Sequence, residues 1–318
     1  MTTTFLFLAV CFVAFTNGAN ANFKGVASLY GSGTTTLRRA ALWGTATTFV
    51  GSVAALFLAS GLLAAFSGRG IVPDTLARAP EFVCAVALGA AGTSFLATRF
   101  GFPVSTTHAL VGALLGAGLA GDASEVQFAA LGTTFLYPLL FSPVVAAVAG
   151  AVVYLILRAC RFAPDHRTPM LDALHVLSTG AASFARGLND TPKMAALMLA
   201  VPGLEVHWGF LVVAVAIAAG GLLDIDRVAE TLGKKVTGMT PGQGFAASLV
   251  TAGLVTTASL HSLPVSTTHV SVGSLLGMGT ATRQAHWRKA GEIVLAWVTT
   301  VPAGAALAAL AYGLISRV

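Results

Sequence analysis

The chain of 318 residues is 56% hydrophobic and 9% charged, with a formal net charge of +6 and a mean hydropathy of +0.82. A soluble domain carries about 25% charged residues, so a soluble fold is excluded and most of the surface must face lipid. No nucleic-acid partner is expected. The bases lie in short connections, at Arg38 and Arg39, Arg158 to Arg167, Arg227 to Lys235 and Arg283 to Lys289, as the positive-inside rule expects of cytoplasmic loops.

The first apolar run, Phe5 to Phe15, is followed by Ala19-Asn20-Ala21 and imitates a signal peptide with its cleavage site. The leading Met-Thr-Thr-Thr carries no base, and the segment recurs later in the chain, so it reads as a retained span. Further apolar runs follow at 40–66, 81–98, 127–157, 208–223, 243–260 and 290–316. Each is long enough, or nearly so, to cross the hydrocarbon core as a helix. Blocks of this length favour helices over barrel strands of about 10 alternating residues. Cys11, Cys84 and Cys160 are isolated in or beside these runs and read as packing residues, not a disulfide framework.

Internal repetition organises the rest. Pro103-Val104-Ser105-Thr106-Thr107-His108 recurs 161 residues later as Pro264-Val265-Ser266-Thr267-Thr268-His269. GANANFKG (Gly18–Gly25) resembles GLNDTPKM (Gly187–Met194) at an offset of 169, and Pro143 and Pro302 mark the last span of each half, 159 apart. The slow drift is what loops of different length produce. It predicts a first repeat over 1–157, a cytoplasmic linker over 158–172 and a second repeat over 173–318, all-α, with five membrane segments in each repeat.

An odd number of segments per repeat inverts the second against the first. With Arg38 and Arg39 in the cytoplasm, 67–80 falls outside, Arg99 inside, Asp122 and Glu125 outside, and Arg158–Arg167 inside. The second half places 202–207 outside, 224–242 inside, 261–264 outside and Arg283–Lys289 inside. Every basic cluster lands on one side, and both termini fall outside. Inverted repeats belong to secondary transporters, whose substrate site lies at the repeat interface.

The Pro-Val-Ser-Thr-Thr-His copies carry chemistry suited to an anion. Proline fits a first helical turn, Ser and Thr supply capping oxygens and hydroxyl donors, and the free N–H groups point outward at the positive dipole end. Together they form an anion cradle. The segment after the first copy, 109–120, is short and glycine-rich, and reads as a broken or re-entrant helix lining a cavity. Ser105, Thr106, Thr107, Ser266, Thr267 and Thr268 are therefore expected at the substrate. His108 and His269 are expected in contact with it or hydrogen-bonded behind it. The alternative is that these small residues only let helices pack closely.

The second repeated motif holds charges that cost at least ~2.5–3.5 kcal/mol each inside a membrane. Lys24 and Lys193 pair with each other across the repeats, beside Asn20, Asn189 and the single acid Asp190. Snorkelling from a helix end is the plainer explanation for a lysine, but Lys193 lies between Pro192 and Met194-Ala-Ala-Leu, a poor setting for it. A functional pair is expected.

With these motifs the chain resembles the inorganic phosphate transporter (PiT) family over essentially its whole length. The resemblance rests on Gly-Ala-Asn at Gly18 with its partner at Gly187, on both Pro-Val-Ser-Thr-Thr copies, and on AETLGKKVTGMTPGQGFAASL (Ala229–Leu249). It implies an inverted-repeat transporter of the cell (inner) membrane, commonly a homodimer, that moves phosphate with sodium or protons and needs no cofactor. Some branches of the family carry sulfate. In the family motif Gly-Ala-Asn-Asp-x-x-Asn, the Asp and second Asn help hold cations beside the substrate. Here Ala21 stands at the first Asp position, Asp190 keeps the second, and Lys24 and Lys193 occupy both second-Asn positions. Two ammonium groups could thus supply charge that sodium ions otherwise bring. The competing classes are a passive anion channel and an intramembrane Ser/Thr–His enzyme, the latter disfavoured because adjacent helical residues do not face each other.

Overall fold

In the computed structural model, residues 3–223 and 226–317 are described. Residues 1–2, the start of the 224–242 connection and the side chain of Arg227 lie outside the described residues. The described chain is all-α. Its long helices are α1 (Thr3–Ala21), α2 (Leu37–Leu58), α3 (Pro80–Arg99), α4 (Thr106–Asp122), α5 (Tyr137–Ala159), α6 (Pro169–Met198), α7 (Val206–Leu223), α8 (Pro241–Leu260), α9 (Thr267–Ala281) and α10 (Trp287–Ile315). Among the described residues, seven helical segments are long and apolar enough to cross a membrane. The others have distinct reasons for falling short. α4 and α9 are short, at 17 and 15 residues, and α6 carries Arg186, Asp190 and Lys193 within its 30.

Packing is exchanged between the halves. α1 rests chiefly on α7 and α3, and its counterpart α6 rests on α2 and α8. α4 packs along α10, and α9 along α5. The close approaches recur at matched glycines. A Cβ at Gly112 or Gly116 would lie 2.2 or 2.0 Å from the Val301 or Ala305 carbonyl oxygen; at Gly273 or Gly277 it would lie 2.5 or 1.8 Å from that of Pro143 or Ala147. Without water to drive burial, membrane helices associate through such small-residue contacts. The outer faces of α5 and α10 expose Phe141, Val144 and Val148, and Leu295, Val298 and Leu310, as a lipid belt requires.

Local sequence explains the element ends. α8 opens on a capping box, in which Thr240 accepts from the Gln243 N–H and the Gln243 side chain accepts from the Thr240 N–H. α6 opens on Thr168, whose side chain accepts from the Leu171 N–H, with Pro169 in the first turn. The helix thus begins inside the stretch read as a linker.

The ends of α3 and α8 are the same motif twice. The Phe102 N–H reaches the Ala97 carbonyl at 2.9 Å and the Leu263 N–H reaches Ala258 at 2.8 Å. Gly101 at φ +73 and Ser262 at φ +59 occupy the left-handed position that such a cap demands. Extended segments then lead to α4 and α9, which begin deep in the protein.

Two local readings change. The 40–66 run is interrupted: α2 ends at Leu58 and a short helix, Ser60–Ala65, follows. The break sets Gly61 against the Ser262 turn, where a Cβ would meet the serine Oγ at 1.9 Å. Cys160, read as a packing residue, is exposed at the end of α5, while Cys84 is buried and Cys11 partly so.

Candidate functional site

The two helix starts face one another and are tied together by exchanged bonds. Thr107 Oγ1 donates to the Val265 carbonyl at 3.3 Å, and Thr268 Oγ1 donates to the Val104 carbonyl at 3.0 Å. Each lysine closes one crossing. The Lys24 ammonium donates to the Val104 carbonyl and to Thr268 Oγ1, both at 2.6 Å. The Lys193 ammonium donates to the Val265 carbonyl at 3.0 Å, to Thr107 Oγ1 at 2.8 Å, to Asp190 Oδ1 at 3.1 Å and to Asn189 Oδ1. Lys24 and Lys193 are 3% and 0% exposed, so neither snorkels.

The asparagines anchor the hairpins instead of facing open space. Asn20 donates to Thr98 Oγ1 and the Phe102 carbonyl, and accepts from the Val104 N–H. Asn189 donates to Ser259 Oγ, the position matching Thr98. Lys24 is carried by a short 3-10 turn, Asn22–Gly25, that interrupts the helix after Ala21, whereas Lys193 rides on the unbroken α6.

The serines of the expected cradle are engaged by their own helices. Ser105 Oγ accepts from the His108 N–H at 3.1 Å and Ser266 Oγ from the His269 N–H at 3.3 Å, so both are N-caps. Their O–H groups remain available as donors. Thr106 Oγ1 accepts from Asn17 at 2.8 Å. The His108 and His269 rings lie 4.6 Å apart, His269 bonds the Leu139 carbonyl, and its ring also contacts Trp297. The histidines therefore lie behind the helix starts, on the side of α5 and α10.

Arg186 is the charged group that inspection of the sequence missed. It is 1% exposed and donates to Asn17 Oδ1 at 2.6 Å and Asn22 Oδ1 at 3.0 Å. Its Nε lies 3.6 Å from Asp190 Oδ2, so Asp190 bridges Arg186 and Lys193. Two signals pointed to it: an arginine inside an apolar segment, and Asn17 at the same 169-residue offset that relates the other pairs. With all four groups ionised, Lys24, Arg186 and Lys193 against Asp190 leave two net positive charges buried in one centre.

Beside this centre lies a narrow polar cavity lined by Lys24, Ser28, Ser248, Thr251, Ser271 and Ser274. A second crevice, which shares Lys24, Thr251 and Ser271 with it, is lined also by Arg186 and Thr267. Lys24 spends two of its three N–H donors on protein oxygens, which leaves one unspent. Ser274 had no expected part in the site, yet its Oγ lies 2.9 Å from that of Thr251 in the cavity wall. Among the described residues no cluster of metal-ligating side chains occurs.

Two helix starts meeting at a buried cationic centre, within exchanged and inverted halves, define a secondary transporter of small anions, not an enzyme. The chain belongs to the phosphate transporter family, whose model matches residues 17–172 and 161–308. It is 32% identical to a probable low-affinity inorganic phosphate transporter of Rhizobium meliloti, over 96% of this chain and 94% of that one. It is 26% identical to a probable low-affinity inorganic phosphate transporter of Bacillus subtilis, over 98% and 97% of the two chains. A solved structure described as the sodium-dependent phosphate transporter shares the fold, with a TM-score of 0.87 over 99% of both chains at 22% identity.

Proposed function

We propose that this protein carries inorganic phosphate across the cell membrane by alternating access, with Lys24 and Lys193 standing where a relative would bind coupling cations. The observation that carries this reading is the oxygen shell around each ammonium. Carbonyl, hydroxyl, amide and carboxylate oxygens surround Lys193, and a carbonyl and a hydroxyl engage Lys24. These are ligands typical of a hard cation, here filled by a tethered one. With all four groups ionised, the net charge of two in the centre matches a dianion, and Lys24, Arg186, Ser271 and Thr267 line a crevice that would have to widen to admit it.

Phosphate leads because the family and its named relatives point to it. Sulfate is the second reading, favoured by the fixed positive charge, since sulfate is a dianion at every physiological pH. Uptake of labelled phosphate into proteoliposomes, with sulfate as competitor and with sodium and pH gradients imposed separately, tests both. Accumulation that follows a pH gradient and ignores sodium is expected. Flux without trans-stimulation would make the protein a passive channel. We propose further that the basic loops lie in the cytoplasm and both termini outside, so that cysteines at Phe100 and Leu263 should label from opposite sides. A homodimer, expected from the family resemblance, is checked by crosslinking in native membranes.

A further inference from the structure

His175, near the start of α6, is a buried titratable group with no part in the hairpin crossing. Its ring is engaged at both ends. Nδ1 lies 3.2 Å from Thr34 Oγ1 and Nε2 lies 2.8 Å from Ser28 Oγ. Ser28 Oγ lies in turn 2.9 Å from Ser248 Oγ, and both serines line the cavity that contains Lys24. In the other direction Thr34 is half-buried and pairs with Ser32 at 2.8 Å, in the loop that leads to the exposed Arg38 and Arg39. Ser32, Thr34, His175, Ser28 and Ser248 thus form an unbroken line from the basic face to the cavity.

The place for the ring is built. A Cβ on Gly244 would lie 2.5 Å from both Cε1 and Nε2 of His175, so only glycine on α8 leaves room for an imidazole here. The groups meeting the ring from the packed elements are neutral: Ser28, Thr34 and, on α8, Gly244, with Ser248 behind Ser28. The charged groups nearby are the Arg167–Asp172 pair at 3.0 Å, with Asp172 one turn back on α6, and Lys24 across the cavity. Arg167 also reaches the Gly33 carbonyl at 3.5 Å, beside Thr34.

We propose that His175 relays protons between the basic face and the substrate cavity, so that the proton accompanying phosphate travels this line. The proposal rests on the phosphate-transport reading above. Every member of the line both donates and accepts: hydroxyls do so by rotation, and imidazole through its two nitrogens. A proton from solvent binds Nδ1 through Thr34, and the Nε2 proton passes to Ser28 Oγ. The Ser28 hydroxyl proton moves to Ser248 Oγ, and the Ser248 proton goes to an oxygen of the bound anion. One proton enters and one leaves, only N–H and O–H bonds change, and tautomer exchange with hydroxyl rotation restores the line.

The test uses purified full-length protein in proteoliposomes, with labelled inorganic phosphate and a trapped pH-sensitive dye. Phosphate exchange without a gradient reports substrate binding and alternation. Accumulation under an imposed pH gradient reports coupling. In His175→Gln, which bonds both neighbours but cannot relay, exchange should stay within about twofold of native. Gradient-driven accumulation and the accompanying dye signal should fall at least tenfold. Thr34→Val, at the surface end and outside α6, should preserve exchange and lower gradient-driven accumulation several-fold, and it decides the matter if His175→Gln fails to fold. A folded His175→Gln that keeps the full pH-gradient response, or that loses exchange along with it, overturns the relay. A native protein that exchanges no phosphate overturns the transport reading and the relay with it.

Discussion

The hairpin of α3 and α4 and the hairpin of α8 and α9 share a backbone and differ in the charges behind them. Both end their first helix on the same cap, both start the second on a serine N-cap, and both offer a carbonyl to a lysine. The first half sets Asn17 and Ala21 at the positions where the second sets Arg186 and Asp190. Repetition fixed the geometry of the crossing, and divergence then concentrated the ionic network on α6. α6 is accordingly the unbroken helix, while its counterpart breaks into a 3-10 turn at Asn22–Gly25. A duplicated site can thus be symmetric in shape and lopsided in charge.

Removing the single acid should expose that imbalance most strongly. Asp190→Ala leaves Arg186 and Lys193 buried without a carboxylate, and breaking a buried pair in this way costs about 3–5 kcal/mol. Little folded protein should survive detergent extraction, as read by the monodisperse fraction and its thermal midpoint. Ala21→Asp, the matching site in the first half, should be better tolerated because it adds an acid beside Lys24.

The packing glycines test the shared geometry. Gly116→Leu and Gly277→Leu each drive a side chain into the carbonyl of the facing helix, from Cβ distances of 2.0 and 1.8 Å. Overpacking of this kind costs about 1–3 kcal/mol. The two thermal midpoints should fall by similar amounts, since α4 on α10 and α9 on α5 are the same contact.

The serine caps should separate stability from transport. Ser105→Ala and Ser266→Ala each remove a cap worth about 1 kcal/mol and an O–H beside the centre. Uptake should fall at least tenfold while most of the protein remains folded, and Ser→Thr should rescue the cap. Ser274 is unsuitable as a neutral control because it lines the cavity. Thr133→Ala serves better, since Thr133 is exposed and bonds the Ala129 and Ala130 carbonyls of its own helix.

The smallest effects lie at the turns. Gly101→Ala places a Cβ at φ +73 and Ser262→Gly removes one at φ +59. The left-handed conformation costs a non-glycine residue roughly 1 kcal/mol, so the first should lower stability and the second raise it slightly, as read by paired thermal midpoints.

Much of the architecture was legible because repetition multiplies weak signals. One Pro-Val-Ser-Thr-Thr-His copy is compatible with simple packing, but two copies in inverted halves are hard to explain without a shared site. Hydropathy found the spans because lipid demands uninterrupted apolar length. It could not find the break at Ala59, where Gly61 comes against Ser262 of the other half. The direction of side chains was also hidden: Asn20 and Asn189 look like ligands in the sequence but bind the hairpins, and Ser105 and Ser266 turn back to cap their own helices. Arg186 escaped notice because its aligned partner is a neutral asparagine, and His175 because its bonded partners, Ser28 and Thr34, lie 147 and 141 residues away in the sequence.

The central claim is that two tethered ammonium groups take the place of coupled sodium, and a sodium titration of phosphate uptake addresses it directly. Native protein, Lys24→Asn, Lys193→Asn and the variant carrying both substitutions are reconstituted side by side, and initial uptake is measured from sodium-free to high-sodium buffer at constant ionic strength. Native uptake should be flat across the titration. Each asparagine variant should be strongly impaired without sodium, with any recovery appearing only as sodium rises. Native uptake that climbs steeply with sodium would contradict the account, as would normal sodium-free uptake in the variant lacking both lysines.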